Sequence, residues 1–223
     1  ANEAQLRAIP IGSYDVLLTK GSVPDSYRPT LFDFIAFAAI DFYSSGEQAG
    51  AKAEDAFEIE ASSPALGPTT DFIAWKPIVT DVDSPKLKAI NLYQRLLAIH
   101  QNDQDRSAFL AADLGRLQFA HANAVGEEKA GRYKVALKSF ADTHAKHELS
   151  VTARHRWAVV LQGENELVEA RVIATQGKNA LPPSVGGKLC LNIIVDIEDK
   201  SVNITTERVR NDPLSTLRVI YSR

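Results

Sequence analysis

Methionine is missing from all 223 residues, and cysteine occurs only once. A single thiol, Cys190, excludes an intrachain disulfide and any multi-cysteine metal centre, and it fits cytosol or periplasm equally well. An excess of one charge is lacking too. Lys plus Arg number 25 against 28 Asp plus Glu, a net charge of -3. The signs are interspersed, so no basic footprint for nucleic acid and no polybasic membrane patch is present. The longest dense apolar run, residues 34–40, is far too short to cross a bilayer. No Gly-x-Ser-x-Gly, Walker or dinucleotide fingerprint occurs. A complete lack of methionine is improbable at this length, so the natural chain is expected to carry some; an intact mass of 24.4 kDa would reject that.

What is there is ordinary globular composition, 45% apolar and 24% charged, with length enough for one large domain or two small ones. Residues 1–28 are punctuated by Pro10, Gly12, Gly21 and Pro24 and read as irregular. Thr30 and Asp33 then form a capping-box-like pair ahead of a helix whose inward face is expected to carry Leu31, Phe34, Ile35, Ala38 and Phe42. Residues 46–83 read as a long connection, with apolar islands at Phe57, Ile59, Phe72, Ile73 and Trp75. Ser84-Pro85, a cap followed by proline at the first helical position, opens the next helix, with Leu87, Ile90, Tyr93 and Leu97 and the neighbouring Leu92 and Leu96 on a broad apolar face.

Four further helices are predicted, over 105–124, 127–147, 150–162 and 165–177. Asn165 is expected to cap the last and Gly177 to stop it. The short breaks predict antiparallel neighbours, a mainly α stack of helical hairpins that resembles tetratricopeptide solenoids in outline without a fixed repeat. After Pro182-Pro183-Ser184 the period changes. Leu189, Leu191, Ile193, Val195 and Ile197 alternate with Cys190, Asn192, Ile194, Asp196 and Glu198, which predicts a strand over 188–198. Further strands are expected over 201–209 and 216–222. The expected organisation is a helical domain at 1–181 and, at 182–223, a short antiparallel β segment opening an incomplete sandwich.

Candidate chemistry is sparse. Among His100, His121, His144, His147 and His155, the pair His144 and His147 sits three apart, yet no third metal ligand is fixed by spacing. Histidines near a helix C-terminus interact with its dipole. Asp113, beside Leu114 and Leu117, reads as capping a neighbouring helix, and Arg116, Glu164, Glu166 and Glu169 as helix-surface charges. Cys190 reads as a small buried residue. Gly186 and Gly187 are expected to open a strand, where no phosphate cradle forms. No catalytic, metal or cofactor site is therefore predicted. Phe72 and Trp75 either pin the long connection or form an interaction patch, and pinning is favoured because large exposed aromatics are costly.

Two blocks resemble a known family. Tyr27-Arg28-Pro29-Thr30-Leu31-Phe32-Asp33-Phe34 is similar to the "RPTLYDFLA" stretch of Bacteroidetes-type alpha-2-macroglobulin proteins. Leu181-Pro182-Pro183-Ser184 through Cys190, then Ile197-Glu198-Asp199-Lys200-Ser201 and Leu217-Arg218-Val219-Ile220-Tyr221, resemble the junction where that family's helical region enters its macroglobulin-like β-domains. The resemblance implies a non-catalytic structural or interaction module of a larger protease-trapping protein in the envelope or periplasm of a Gram-negative bacterium. It implies protein partners, proteases among them through the full-length parent, no cofactor, and membrane contact only through parts outside this chain. The family's Cys-x-Glu-Gln thioester is absent, since Cys190 is followed by Leu191-Asn192-Ile193. The competing expectation is a free-standing helical adaptor that binds peptides or partner proteins in a groove.

Overall fold

Thr30 starts the first long helix by the mechanism its sequence suggests. In the computed structural model, which describes residues 2–19, 21, 23–45, 57–199, 202–204 and 219–221, the Thr30 hydroxyl accepts the Asp33 N–H at 3.3 Å. The Asp33 carboxylate accepts the Thr30 N–H at 2.8 Å. This reciprocal box satisfies two otherwise orphaned donors and fixes the start of α2 (Leu31–Ser44). The buried face of α2 is Phe32, Asp33, Ala36, Phe37 and Ile40, not the face anticipated from Leu31, Phe34, Ile35, Ala38 and Phe42. Ile35 and Phe42 are exposed. The helix is apolar almost all round, so periodicity leaves its rotation open, and the partners of Asp33 choose it.

The chain divides into two compact units, Ala1–Thr143 and His144–Arg223. In the first, α1 (Glu3–Arg7) packs on α2, and α2 packs on α4 (Pro85–His100). The α4 helix packs in turn on α5 (Ser107–Asn123), and α5 on α6 (Lys129–Thr143). Leu87, Ile90, Tyr93, Leu96 and Leu97 of α4 are buried with Leu110, Leu114 and Leu117 of α5 and Leu137 and Phe140 of α6. The described part of the long connection is more regular than anticipated. It contains β1 (Ile59–Glu60), a 3-10 turn at Pro64–Leu66 and α3 (Thr69–Ala74). Strand β1 pairs in parallel with β2 (Ala124–Val125), Ile59 opposite Ala124, so the connection is tied to the end of α5.

The second unit is built on α7 (Glu148–Gly163), α8 (Leu167–Ala180) and α9 (Val185–Glu198), each packed against the other two. Here the strand anticipated over 188–198 is overturned. Gly186, Gly187, Cys190, Ile193 and Ile194 are buried and Ile197 is partly buried. That is three-to-four spacing, the period of a helix. The alternation of Leu189, Leu191, Val195 and Ile197 is real, but Leu191 and Val195 point outward. The β-branched residues favour a strand intrinsically, and packing on α7 and α8 outweighs that preference. Ser184 caps α9, its hydroxyl accepting the Gly187 N–H at 3.0 Å and donating to the Leu181 carbonyl at 2.6 Å. The boundary anticipated at 181/182 therefore falls inside a unit, between two helices that share a core.

Two smaller expectations change for the same reason. Gly177 does not stop α8; it is buried within it, where a Cβ would lie 2.6 Å from Cys190 Sγ. Asn165 does not cap α8. It adopts φ 62° after α7, with its N–H bonded to the Gln162 carbonyl and the Glu166 N–H to the Leu161 carbonyl. That pair of bonds is a Schellman ending, with asparagine in the left-handed position. Beyond α9, β3 (Val202–Ile204) pairs antiparallel with β4 (Val219–Tyr221), Asn203 opposite Ile220. The rest of the strands anticipated over 201–209 and 216–222 lies outside the described residues.

Candidate functional site

A buried titratable cluster joins α2 to the end of α4. His100, the last residue of α4, is buried, and its Nε2 lies 2.9 Å from Asp33 Oδ1 while its Nδ1 lies 2.6 Å from Asp103 Oδ2. Asp33 is 1% exposed and accepts from Thr30 twice, from the N–H and from the hydroxyl, each at 2.8 Å. Both ring nitrogens face carboxylate oxygens, which only accept hydrogen bonds, so the geometry calls for imidazolium with two N–H donors. Burial pulls the His100 pKa down, but the bonds to Asp33 and Asp103 outweigh it and the pKa is raised. Burial likewise pushes Asp33 up, and the bonds from His100 and Thr30 bring it below the usual carboxylate range.

The turn after α4 is closed by Arg106, whose guanidinium donates to the Gln101 carbonyl, approaches the His100 carbonyl at 3.5 Å and lies over the Phe109 ring. An open depression of about 280 Å³ lies over this turn, lined by Ser26, Pro29, Asp103, Gln104, Asp105 and Ala108. The cluster is poorly arranged for acid–base work. A general base needs a free lone pair within reach of substrate, and both nitrogens of His100 are committed. The hydroxyl in the network, Thr30, is bonded to Asp33 rather than to the ring.

A second buried cluster holds the connection. Arg116 Nε donates to Asp113 Oδ1 at 2.8 Å, and its Nη1 donates to the carbonyls of Ala65 and Gly67, each at 2.9 Å. Asp113 also accepts from the Thr69 hydroxyl at the start of α3 at 3.0 Å. Arg116 is 2% exposed, a correction to its reading as a surface charge. Its guanidinium lies 5.0 Å from the Phe72 ring centroid. Phe72 is 1% exposed and Trp75 half-buried, their rings 6.4 Å apart. Gln94 of α4 donates to the carbonyls of both residues at 2.7 Å. Phe72 therefore lies inside and offers no interaction surface.

The histidines do not converge. His147 caps α7, its Nδ1 accepting the Leu149 N–H at 3.2 Å, because the preceding helix ends at Thr143 rather than near 147. His121 stacks on Tyr133 with centroids 4.1 Å apart, and burial, helped by Lys129, lowers its pKa. Burial, then Arg156, lowers that of His155. No group of three or more His, Cys, Asp or Glu able to hold a metal ion occurs among the described residues. Cys190 is fully buried and its thiol is pushed up to about 11, chiefly by desolvation, which removes it as a nucleophile at neutral pH.

No family model, curated protein or solved structure matches this chain.

Gly186 and Gly187 lie in the first turn of a helix rather than at the head of a strand. A Cβ on Gly186 would lie 2.6 Å from Thr152 N, and one on Gly187 2.4 Å from the Leu181 carbonyl oxygen. The space over this helix start is filled by the chain's own backbone, so these glycines serve close packing. Asp33–His100 was not legible as a pair because 67 positions separate its members. The spacing of His100 and Asp103 across a helix end was the available signal for the other half.

Proposed function

We propose that this chain is a non-catalytic helical module that serves protein–protein contact or spacing. The observation that carries the reading is the commitment of its buried charges. Asp33, His100, Asp113 and Arg116 bond to caps, to loop carbonyls and to one another. No buried side-chain nitrogen or oxygen among the described residues lacks a partner. Groups held in this way stabilise a scaffold and are not free to meet a substrate.

The parent we propose is an alpha-2-macroglobulin-like, protease-trapping envelope protein of a Gram-negative bacterium. This rests on the resemblance of residues 27–34 and of the segment from Leu181 onward. In that setting the helices form tetratricopeptide-like hairpins and β3 with β4 belongs to the opening of a sandwich. The test is the native open reading frame and its product. Macroglobulin-like strands and a bait segment after residue 223, with a protease retained by the full-length product, support the proposal. A frame that lacks them overturns the parent.

The second reading, an adaptor that binds partner proteins by itself, is favoured by one feature. Val168 and Val172 on α8 and Leu191 and Val195 on α9 are exposed, each pair four residues apart on its helix.

A further inference from the structure

We propose that Asp33, His100 and Asp103 form a proton-dependent clasp that holds the α4–α5 turn against the start of α2 and loosens when His100 gives up its second proton. The inference goes beyond the scaffold reading and is carried by the arrangement of donors and acceptors. Neutral imidazole has one N–H. When it faces carboxylates on both sides, one bond survives and the other becomes a contact between a lone pair and an anion. Asp33 is the better-held partner, being buried and fixed by two bonds from Thr30. Asp103 stands on the turn with its side chain 44% exposed. Loss of the proton therefore frees Asp103 to water and leaves the Nε2–H bonded to Asp33.

The charged groups facing the ring are Asp33 from α2 and Asp103 from the turn, with Arg106 reaching its backbone carbonyl. Arg28 lies over the Phe37 ring of α2, and α5 directs Asp113 and Arg116 toward the 65–69 loop. The two carboxylates therefore dominate at the ring and hold the proton to higher pH than an isolated histidine does.

The released segment is defined by its bonds. The Arg106 carbonyl accepts the Leu110 N–H at 2.9 Å, and the Asp105 carboxylate accepts the Ser107 N–H at 2.9 Å. These short-range bonds keep the start of α5 in place, so the opening is confined to residues 101–106. That turn and Ser26 and Pro29 line the same depression, so its shape is the part of the surface the clasp controls.

The test is an NMR titration of the whole chain between pH 5.5 and 9.5. It follows the His100 ring and the exchange protection of amides 101–106, corrected for intrinsic exchange. His100 is expected to titrate above the ordinary histidine range, and turn protection to fall, by no more than about tenfold per pH unit, as pH rises through that titration. Asp103→Asn is the discriminating variant. Its side-chain amide can donate to Nδ1 of neutral His100, so the turn stays protected and its pH dependence disappears. A His100 that titrates at or below the ordinary range overturns the proposal, as does an equally steep dependence in Asp103→Asn. His100→Gln, which cannot titrate, must also be flat over this range.

Discussion

Replacing Gly177 by alanine tests the packing of α8 on α9 directly. The new Cβ would sit 2.6 Å from Cys190 Sγ, 3.4 Å from Arg154 Cβ and 3.5 Å from Val151 Cγ1. The first distance is roughly 1 Å short of the ~3.5–4.0 Å at which nonbonded heavy atoms rest. Cys190 cannot swing aside easily, being fully buried with its thiol directed at the Val151 carbonyl. Over-packing of this kind costs about 1–3 kcal/mol, and alanine returns about 0.5–1 kcal/mol of helix propensity. The net expectation is destabilisation centred on about 1 kcal/mol and reaching up to about 2.5 kcal/mol. Cys190→Ala alone removes the sulfur's contacts and costs about 1 kcal/mol. Combined, the two changes fit each other, and the double variant is expected to fall short of the summed loss by about 1–2 kcal/mol. The chain has two tryptophans, and Trp157 packs on this cluster. Urea unfolding followed by Trp157 fluorescence in a Trp75→Phe background therefore reports on this unit. If residues 188–198 formed a strand and Gly177 ended α8, alanine there would be neutral or stabilising. That result, or strict additivity with Cys190→Ala, refutes the helix packing.

Other perturbations separate the remaining contacts. Arg116→Ala leaves Asp113 buried with its main partner gone and frees the Ala65 and Gly67 carbonyls. A loss of about 3–5 kcal/mol is expected in denaturant unfolding, with early exposure of Trp75. Asn165→Gly should be neutral or slightly stabilising and Asn165→Ala destabilising by about 1 kcal/mol, because φ is 62° there; equal melting temperatures for the two would contradict the Schellman ending. The pH profile of stability should be flat-topped. The lowered pKa of Asp33 contributes stability that is present above about pH 3.8 and is lost as pH falls through the folded-state value. The raised pKa of His100 contributes stability that is full below about pH 6.5 and is lost as pH rises through its folded-state value. Chemical denaturation across pH 2–10 measures both edges, and Asp33→Asn should weaken both.

Local chemistry determined much of this protein without help. The Thr30–Asp33 box, the Ser84-Pro85 start of α4 and the apolar stripes of α4 and α5 each specify a helix through neighbours within a turn or two. The pattern of short breaks made a mainly α chain legible. Tertiary structure decided what local rules left balanced. Residues 185–198 satisfy a two-residue and a three-to-four-residue period at once, and only the faces of α7 and α8 choose between them. Residues 31–44 are apolar almost all round, so their rotation waits for His100 to bind Asp33. Arg116 looks like a surface charge until the 65–69 loop, some 50 positions earlier, brings its carbonyls to the guanidinium. In each case the deciding partner is distant in the chain, and a helix or loop must already be packed before the bond that explains it can form.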